Sequence, residues 1–365
     1  MYMKIFLNDI FNKLDLTFLL IFILFFLVFY FGIKLCRKFN ILPSYSINYN
    51  SIQKSHEGSV PRLGGLIVLI YLLCQSIFSQ FNYDLTGLDT IFICLIPLLF
   101  VTLIEDLFFN VHYSLRLIFS ALSIFLLMIL YFDNLPHVQG IPLISSLFEN
   151  QVFSFVFFSL CLLVFINGCN FIDGMNGLLP FTLVGICLSF LYLSFLSNDK
   201  VMSSQIILYL SAIILFIVFN FPFGKIFLGD LGAYLFSALI GIWSIEFFAH
   251  YESFSSWNVL LILFYPTFEV IFSFVRKTNI GLSPFKPDNK HLHMLIYKYF
   301  LKNTNSITAN NLTTLSLLYF IILPLLLLPY VMYSHLYLFF TIIFLMFSYL
   351  FLYLLMFRIY KNDHK

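Results

Sequence analysis

The chain has 365 residues, of which 61% are hydrophobic and only 10% are charged, and its formal net charge is +2. A mean hydropathy of +0.98 excludes an ordinary soluble domain. Long unbroken apolar runs also exclude a transmembrane barrel, whose strands would be short and would alternate in polarity. The composition therefore predicts an all-α protein, a polytopic bundle of membrane-spanning helices.

Apolar runs recur about eleven times, each near the ~20 residues that a bilayer requires. The predicted spans are 16–35, 63–80, 89–104, 114–132, 151–168, 178–197, 203–220, 231–249, 256–275, 311–332 and 334–357. With the N-terminus outside and the C-terminus cytoplasmic, only Lys4, Lys13 and Lys200 of the 19 Lys and Arg residues fall in outside segments. This bias supports the orientation by the positive-inside rule. We expect one integral-membrane domain over residues 1–365, with cytoplasmic loops near 36–62, 105–113, 169–177, 221–230 and 276–310.

The first polar motif lies where the second span begins. Pro61, Arg62 and the pair Gly64-Gly65 occur together there. A proline followed by two glycines is typical of a tight backbone turn. The motif therefore predicts a turn that carries one positive charge.

Two adjacent acids, Glu105 and Asp106, end the third predicted span, and Arg116 starts the next. Neighbouring carboxylates repel, so both stay ionised only when a cation or a positive group is near. A hairpin that brings acids and a guanidinium together suits binding of phosphate and magnesium. The alternative interpretation is a solvated helix end.

A stretch of carboxamides, one carboxylate and glycines follows the fifth span. Asn167, Asn170, Asp173 and Asn176 recur every three residues, and on a helix this spacing keeps them on one broad face. Polar groups at a bilayer edge are costly to keep dry, so such a cluster usually marks a site. Oxygen ligands suit a hard cation such as Mg²⁺. The alternative is helix capping by the same side chains.

Another polar stretch, Asn220–Gly232, precedes the eighth span. It contains Asp230 at the expected helix start, where an acid is favoured by the helix dipole, so a plain N-cap is the alternative to a functional role. Lys225 and Phe227 are candidates for contacting a phosphate and the face of a nucleobase.

The longest polar loop follows Arg276 and contains His291 and His293. Its basic residues and two imidazoles favour diphosphate binding, and a generic positive-inside loop is the alternative. No cysteines accompany the histidines, which argues against zinc. Glu269, inside the ninth predicted span, is interpreted as a buried structural partner, with a functional role as the alternative.

These five motifs, in this order between Pro61 and His293, resemble those of the polyprenyl-phosphate N-acetylhexosamine-1-phosphate transferases, the MraY/WecA-like family. The resemblance implies a bundle of ten or eleven spans with a cytoplasmic active site. It also implies transfer of a sugar 1-phosphate from a UDP-sugar to a polyprenyl phosphate such as undecaprenyl phosphate. UMP is released, and Mg²⁺ is the expected cofactor, with Mn²⁺ as a second candidate.

The family motifs imply roles at matching positions of this chain. Metal ligands are expected at Asp230 and Asn170, and catalytic residues at Asp106, Glu105 and Asp173. Substrate contacts are expected at Arg62, Arg116, Asn176, Asn220, Lys225, Phe227, His291 and His293. A phosphate monoester is largely dianionic at neutral pH, so we expect Asp106 to organise metal or lipid phosphate more than to act as a base.

The chain departs from the usual family pattern in three motifs. Glu105 and Asn176 stand where most relatives have Asp, and Asp230 is followed by Leu-Gly-Ala233 where Asp-Thr-Gly-Ser is usual. A run of three histidines is also missing. These departures favour a WecA-like initiator of O-antigen, capsule or another surface glycan. The phospho-MurNAc-pentapeptide transferase of peptidoglycan synthesis is the main alternative.

A transporter or flippase is the less favoured alternative, because it predicts charges near the bilayer midplane and repeated halves, and neither is found in the sequence. The resemblance further implies a multi-pass protein of the bacterial inner membrane. Its expected partners are a polyprenyl phosphate lipid and a UDP-sugar. Nucleic acid is not expected as a partner, and a homodimer is left open.

Overall fold

A computed structural model of the chain describes residues 14–39, 60–78, 88–108, 111–138, 140, 142–283 and 288–362. Every regular element within these ranges is a helix, which confirms the all-α prediction. The helices are α1 (Leu16–Phe39), α2 (Gly64–Phe78), α3 (Leu88–Phe108), α4 (Tyr113–Leu130), α5 (Pro142–Phe148), α6 (Gln151–Ile172), α7 (Leu178–Leu196), α8 (Lys200–Asn220), α9 (Gly229–His250), α10 (Asn258–Ile262), α11 (Phe264–Asn279), α12 (Leu292–Leu301), α13 (Ser306–Leu317), α14 (Tyr319–Val331) and α15 (His335–Asn362).

The described residues contain 9 helical segments long and apolar enough to cross a membrane. They are α1, α3, α4, α6, α7, α8, α9, the consecutive pair α13–α14, and α15. This finding confirms a multi-pass membrane protein, whereas the count of about eleven and the orientation of the termini stay predictions. Helix α2, with 15 residues, is shorter than these segments. Parts of three predicted loops, at 40–59, 109–110 and 284–287, lie outside the described residues.

The predicted span 256–275 is interrupted in the structure. Helix α10 ends at Ile262, and α11 begins after Leu263, whose φ of −96° and ψ of 17° leave the helical region. Pro266 follows one turn later and has no N–H to bond the carbonyl of Ile262, which explains why the helix breaks here. Helix α11 also continues beyond the predicted end and carries Arg276 and Lys277 in its last turn, where cations are favoured by the helix dipole.

Four of the described helices begin at an Asn or Asp side chain that accepts a hydrogen bond from a backbone N–H three residues later. These caps are Asp15 on α1, Asn150 on α6, Asp199 on α8 and Asn305 on α13. Each satisfies one of the donors that a helix start leaves unbonded. Helix α9 begins differently, because its first N–H groups bond a side chain that comes from α3, as described below.

The chain divides into two compact units, each discontinuous in sequence. The first unit contains α1–α3, α4 up to Leu127, α7 from Leu183, α8, and α9 up to Trp243. Within it, α2 packs on α1 and α8: Gln75 donates to the Phe18 carbonyl over 3.1 Å, and the hydroxyls of Tyr71 and Ser211 lie 2.8 Å apart.

The second unit contains α5, α6, α10–α15 and the remaining parts of α4, α7 and α9. Gly168 on α6 lies directly against the backbone of Pro266, and a β-carbon at Gly168 would collide with the Pro266 carbonyl. Glycine therefore lets α6 and α11 approach at backbone distance. This contact places the polar end of α6 beside α11. The prediction of a single domain over 1–365 stays a prediction.

Candidate functional site

The start of α9 is capped by Asp106, which lies at the end of α3. Oδ1 of Asp106 accepts a hydrogen bond from the backbone N–H of Asp230 (3.0 Å), and Oδ2 accepts one from Leu231 (2.9 Å). A carboxylate at this position also complements the positive end of the helix dipole. Gly229 has a φ of +76°, and a β-carbon there would lie 2.5 Å from Oδ2 of Asp106. The cap therefore requires glycine before Asp230.

Two arginines surround these acids. Nη1 of Arg116, in the first turn of α4, donates to Oδ2 of Asp230 over 2.6 Å, and Nη1 of Arg62 lies 4.0 Å from Oδ1 of Asp106. The side chains of Arg116 and Arg62 are 27% and 31% exposed, against 5% for Asp106. Their guanidinium groups therefore remain accessible to an anion near the helix start.

The two adjacent acids make different contacts. Whereas Asp106 bonds α9, Oε2 of Glu105 accepts a hydrogen bond from the backbone N–H of Val111, 3.0 Å away in the turn that leads to α4. Backbone donors thus bond both carboxylates, a source of stabilisation that the sequence interpretation did not include. We call Arg62, Glu105, Asp106, Arg116 and Asp230 the acid–arginine cluster.

The motif Pro61–Gly65 binds the segment before α9 through main-chain atoms. Phe227 N–H donates to the Pro61 carbonyl (2.9 Å), Gly64 N–H to the Phe227 carbonyl (3.0 Å) and Gly65 N–H to the Leu228 carbonyl (2.7 Å). A β-carbon on Gly65 would collide with the backbone of Gly232. The two glycines are therefore needed for close approach, and the motif fixes the backbone on which Phe227 and Asp230 are carried.

The loop between α8 and α9 is closed by its own first residue. Asn220 is buried, and its Nδ2 donates to the carbonyl of Ile226 over 2.9 Å. Lys225 is exposed, and its Nζ lies 4.6 Å from the ring centre of Phe223. Phe227 is half-buried. The predicted substrate residues in this loop thus differ: Asn220 shapes the loop, whereas Lys225 and Phe227 present surface.

In the second unit, the carboxamide stretch forms the end of α6. Asn167 and Asn170 lie in its last turns, and Nδ2 of Asn167 donates to the Leu163 carbonyl over 2.7 Å. Asp173 is the C-terminal cap, with its backbone N–H bonded to the Asn170 carbonyl. The predicted helical face therefore extends only to Ile172, and the chain then turns towards α7.

Asn176 is tied to α13, a helix that the sequence interpretation did not connect with the site. Its N–H donates to Oδ1 of Asn310 (2.5 Å), its carbonyl accepts from Oγ1 of Thr314 (2.6 Å), and its Nδ2 lies 3.4 Å from Oδ1 of Asn311. Polar residues at and just before the start of the predicted span 311–332 are the only local signal of these partners, and they do not indicate contact with Asn176. Asn176 is buried, so its bonds hold the turn in place.

The histidine loop is organised by carboxylates. Nδ1 of His291 lies 3.0 Å from Oε1 of Glu269, and Nε2 lies 3.3 Å from Oδ1 of Asp288, which also pairs with Arg276 over 2.8 Å. Burial acts to raise the pKa of Asp288, but His291 and Arg276 outweigh this effect and hold that pKa below its usual range. The sequence interpretation did not assign Asp288 to the site, although its position in the same loop was an available indication.

His293 lies inside the protein, stacked on His291 with ring centres 5.6 Å apart and planes at 15°. A β-carbon on Gly174 would lie 3.5 Å from Nε2 of His293, so the ring reaches the carboxamide stretch. Burial lowers the pKa of His293 to about 4, which makes the ring neutral at pH 7. Its Nδ1 is buried and has no hydrogen-bond partner among the described residues.

Each unit therefore gathers part of the predicted site. The first unit holds eight of the predicted residues, and the second unit holds the other five. The first set is Arg62, Glu105, Asp106, Arg116, Asn220, Lys225, Phe227 and Asp230, and the second is Asn170, Asp173, Asn176, His291 and His293.

Comparison with known proteins gives one family. The model of glycosyl transferase family 4 matches residues 89–248. An undecaprenyl-phosphate alpha-N-acetylglucosaminyl 1-phosphate transferase of Thermotoga maritima is 30% identical over 241 residues, which are 66% of this chain and 69% of that protein. A protein of the same name from Escherichia coli K12 is 25% identical, over 74% of this chain and 72% of its own length. A probable undecaprenyl-phosphate N-acetylglucosaminyl 1-phosphate transferase of Bacillus subtilis is also 25% identical, with 72% of each chain covered.

The close approach of Gly65 to Gly232 predicts that Gly65→Ala destabilises the first unit. An added methyl group would displace backbone, and such overpacking costs ~1–3 kcal/mol. Gly32→Ala is the matched control, since a β-carbon there would meet only the Ile67 side chain, at 3.9 Å. Thermal unfolding in detergent should show a lower Tm for Gly65→Ala and an equal or higher one for Gly32→Ala, because alanine is favoured over glycine in a helix interior. Equal melting temperatures for both variants would contradict this account of the motif.

The burial of His293 predicts acid-sensitive stability. Its folded pKa of about 4 lies below the ordinary 6.5, so the unfolded chain binds more protons between these values and stability falls as pH falls through that window. The Tm of the wild type should therefore drop more between pH 7 and pH 5 than that of His293→Asn. Parallel melting curves for the two proteins would show that this ring does not contribute.

Proposed function

The chain belongs to glycosyl transferase family 4 and is a glycosyl-1-phosphate transferase, and on this basis we propose that it transfers N-acetylglucosamine 1-phosphate from UDP-N-acetylglucosamine to undecaprenyl phosphate. An oxygen of the lipid phosphate attacks the β-phosphorus of the nucleotide sugar. The bond from that phosphorus to the bridging oxygen breaks, UMP leaves, and a lipid-linked diphosphosugar forms.

The observation that carries this proposal is the acid–arginine cluster at the start of α9. Both substrates are anions, so their approach requires positive charge. Arg116 and Arg62 offer part-exposed guanidinium groups within 4.0 Å of the acids that they accompany. Guanidinium groups bind phosphate oxygens with two parallel hydrogen bonds, and preorganised cations stabilise charge in the transition state at little reorganisation cost. This arrangement supports phosphate chemistry more than transport.

Asp230 is the residue that we propose to hold Mg²⁺. Its Oδ2 bonds Arg116, and its side chain is 16% exposed, so the carboxylate is accessible to a hard cation. Among the described residues, no group of three or more His, Cys, Asp and Glu is arranged to hold an ion. Mg²⁺ commonly uses one or two carboxylates together with substrate phosphates. The ion would neutralise diphosphate charge.

We assign Asp106 a positioning role. Its two oxygens accept hydrogen bonds from the first turn of α9, and the lipid phosphate is largely dianionic at neutral pH without help from a base. By capping α9, Asp106 fixes the backbone of Asp230 next to Arg116. Glu105 supports the following turn through Val111. Neither carboxylate is required to remove a proton in this scheme.

The remaining residues are proposed to bind substrate. Phe227 would stack on the uracil ring, with Lys225 near a phosphate. Asp173, His291 and His293 would serve the diphosphate side. We propose a site that opens to the cytoplasm in a bacterial inner membrane, with the lipid product starting a surface glycan. The peptidoglycan alternative is not favoured, because the similar proteins described above are named as N-acetylglucosaminyl 1-phosphate transferases.

An assay of UMP release tests the proposed reaction. Purified protein with UDP-N-acetylglucosamine, undecaprenyl phosphate and Mg²⁺ should release UMP, and chelation of Mg²⁺ should stop it. Asp230→Asn should lower kcat at least about 100-fold, the scale of losing one electrostatic stabiliser. Asp199→Asn is the matched control, since it changes the N-cap of α8 to another good capping residue. No UMP with any UDP-sugar would refute the transferase proposal.

The positioning role of Asp106 predicts a joint effect on stability and turnover. In Asp106→Asn, an amide NH₂ would face one of the backbone N–H groups that the carboxylate now bonds. Loss of a cap of this kind costs ~0.5–2 kcal/mol. We expect a lower Tm and a lower kcat that additional Mg²⁺ does not restore. Full recovery of kcat at high Mg²⁺ would indicate instead that Asp106 acts by binding the ion.

A further inference from the structure

Glu269 is a fully buried carboxylate that the proposed reaction does not use. It lies on α11 and is 1% exposed. Its Oε1 accepts a hydrogen bond from the backbone N–H of Leu292 (3.3 Å) and faces Nδ1 of His291 (3.0 Å), and its Oε2 accepts one from the hydroxyl of Tyr349 (2.6 Å). A buried carboxylate is costly unless it is fully bonded, and this one is bonded from α12, α15 and the histidine loop.

His291 is held at both ring nitrogens. Glu269 faces Nδ1 and Asp288 faces Nε2, and Asp288 is in turn paired with Arg276 at the end of α11. An imidazole fixed at one nitrogen can still rotate about that hydrogen bond. Contacts at both nitrogens determine the plane of the ring. Glu269 is therefore the buried end of a connected series that leads through His291 to Asp288.

The fixed plane of His291 determines where the neighbouring groups lie. His293 stacks on it with nearly parallel rings, and Phe171, at the end of α6, makes a T-shaped contact with the same ring, with centres 5.3 Å apart. Nε2 of His293 lies close to Gly174. The orientation of His291 is thus transmitted to both sides of Asp173.

We propose that Glu269 is a positioning residue for the histidine loop: it orients His291, and through the ring stack it sets the geometry of His293 against the segment around Asp173. This inference rests on the transferase function proposed above, which gives that segment its substrates. Glu269 itself touches no reacting atom. Residues that orient the groups contacting a ligand commonly matter 10–100-fold when they are changed.

A labelling experiment tests the orientation without reference to activity. Diethyl pyrocarbonate modifies an accessible, unprotonated imidazole nitrogen, and His291 is 4% exposed with both nitrogens facing carboxylates. In detergent-solubilised full-length protein, mass spectrometry should find His291 protected in the wild type and labelled several-fold faster in Glu269→Gln. The amide cannot accept hydrogen bonds at both positions that the carboxylate occupies. Equal labelling of the two proteins would overturn the proposal.

Tyr265→Phe is the control for a merely structural effect. Its hydroxyl is buried on the same helix, one turn before Glu269, and has no hydrogen-bond partner among the described residues. The variant should leave the labelling of His291 unchanged. If it exposed His291 as much as Glu269→Gln does, general loosening of α11 would explain the result, and the proposal would fail.

A double-mutant cycle tests the consequence for turnover. Glu269→Gln should lower kcat by about 10–100-fold with little change in the KM for the nucleotide sugar, whereas Glu269→Asp, which keeps the charge, should restore part of the loss. In a His291→Asn background, Glu269→Gln should cause no further loss, because both residues act through one ring. Additive losses would overturn the inference. A wild type that releases no UMP would refute the transferase proposal instead, and the labelling result would then decide the inference alone.

Discussion

The hydrogen bonds from Asp106 to the first turn of α9 are the contact on which the acid–arginine cluster depends. They join the end of α3 to the start of α9, and they place Asp230 beside Arg116. Helix starts leave N–H groups unbonded and carry partial positive charge, so one carboxylate satisfies both needs here. Gly229 is part of the same arrangement, because any β-carbon at that position would occupy the space of the Asp106 oxygens.

The charged residues of the two units differ in how deeply they are buried, and for this reason they make different contacts. In the first unit, the arginine side chains are part-exposed, so an incoming anion can reach their guanidinium groups. In the second unit, Glu269 and His291 are buried. Both carboxylate oxygens of Glu269 and both ring nitrogens of His291 contact the partners described above. Charges that are fully bonded inside a protein specify a conformation more than they attract a ligand. We therefore interpret the first cluster as a binding surface and the second as a framework for the loop that carries His293.

The sequence predicted the helical membrane class and the polar ends of the spans well, because hydropathy and charge bias are local properties of the chain. It did not predict that span 256–275 breaks at Leu263, although Pro266 was visible. It also did not separate Asp106 from Glu105, since adjacent residues on a helix point in different directions and only the fold shows which one reaches α9. The pairing of Asn176 with Asn310 joins residues 134 positions apart, and no short-range pattern encodes such a contact.

Three backbone hydrogen bonds join the segment from Pro61 to Gly65 to Phe227 and Leu228. Backbone hydrogen bonds do not depend on the side chains of the paired residues, provided that the glycines needed for close approach remain. The course of the main chain here therefore does not depend on which side chains the chain carries. Position 227 can therefore exchange its side chain while the main chain keeps its course, so the surface that this loop presents can change without a new fold.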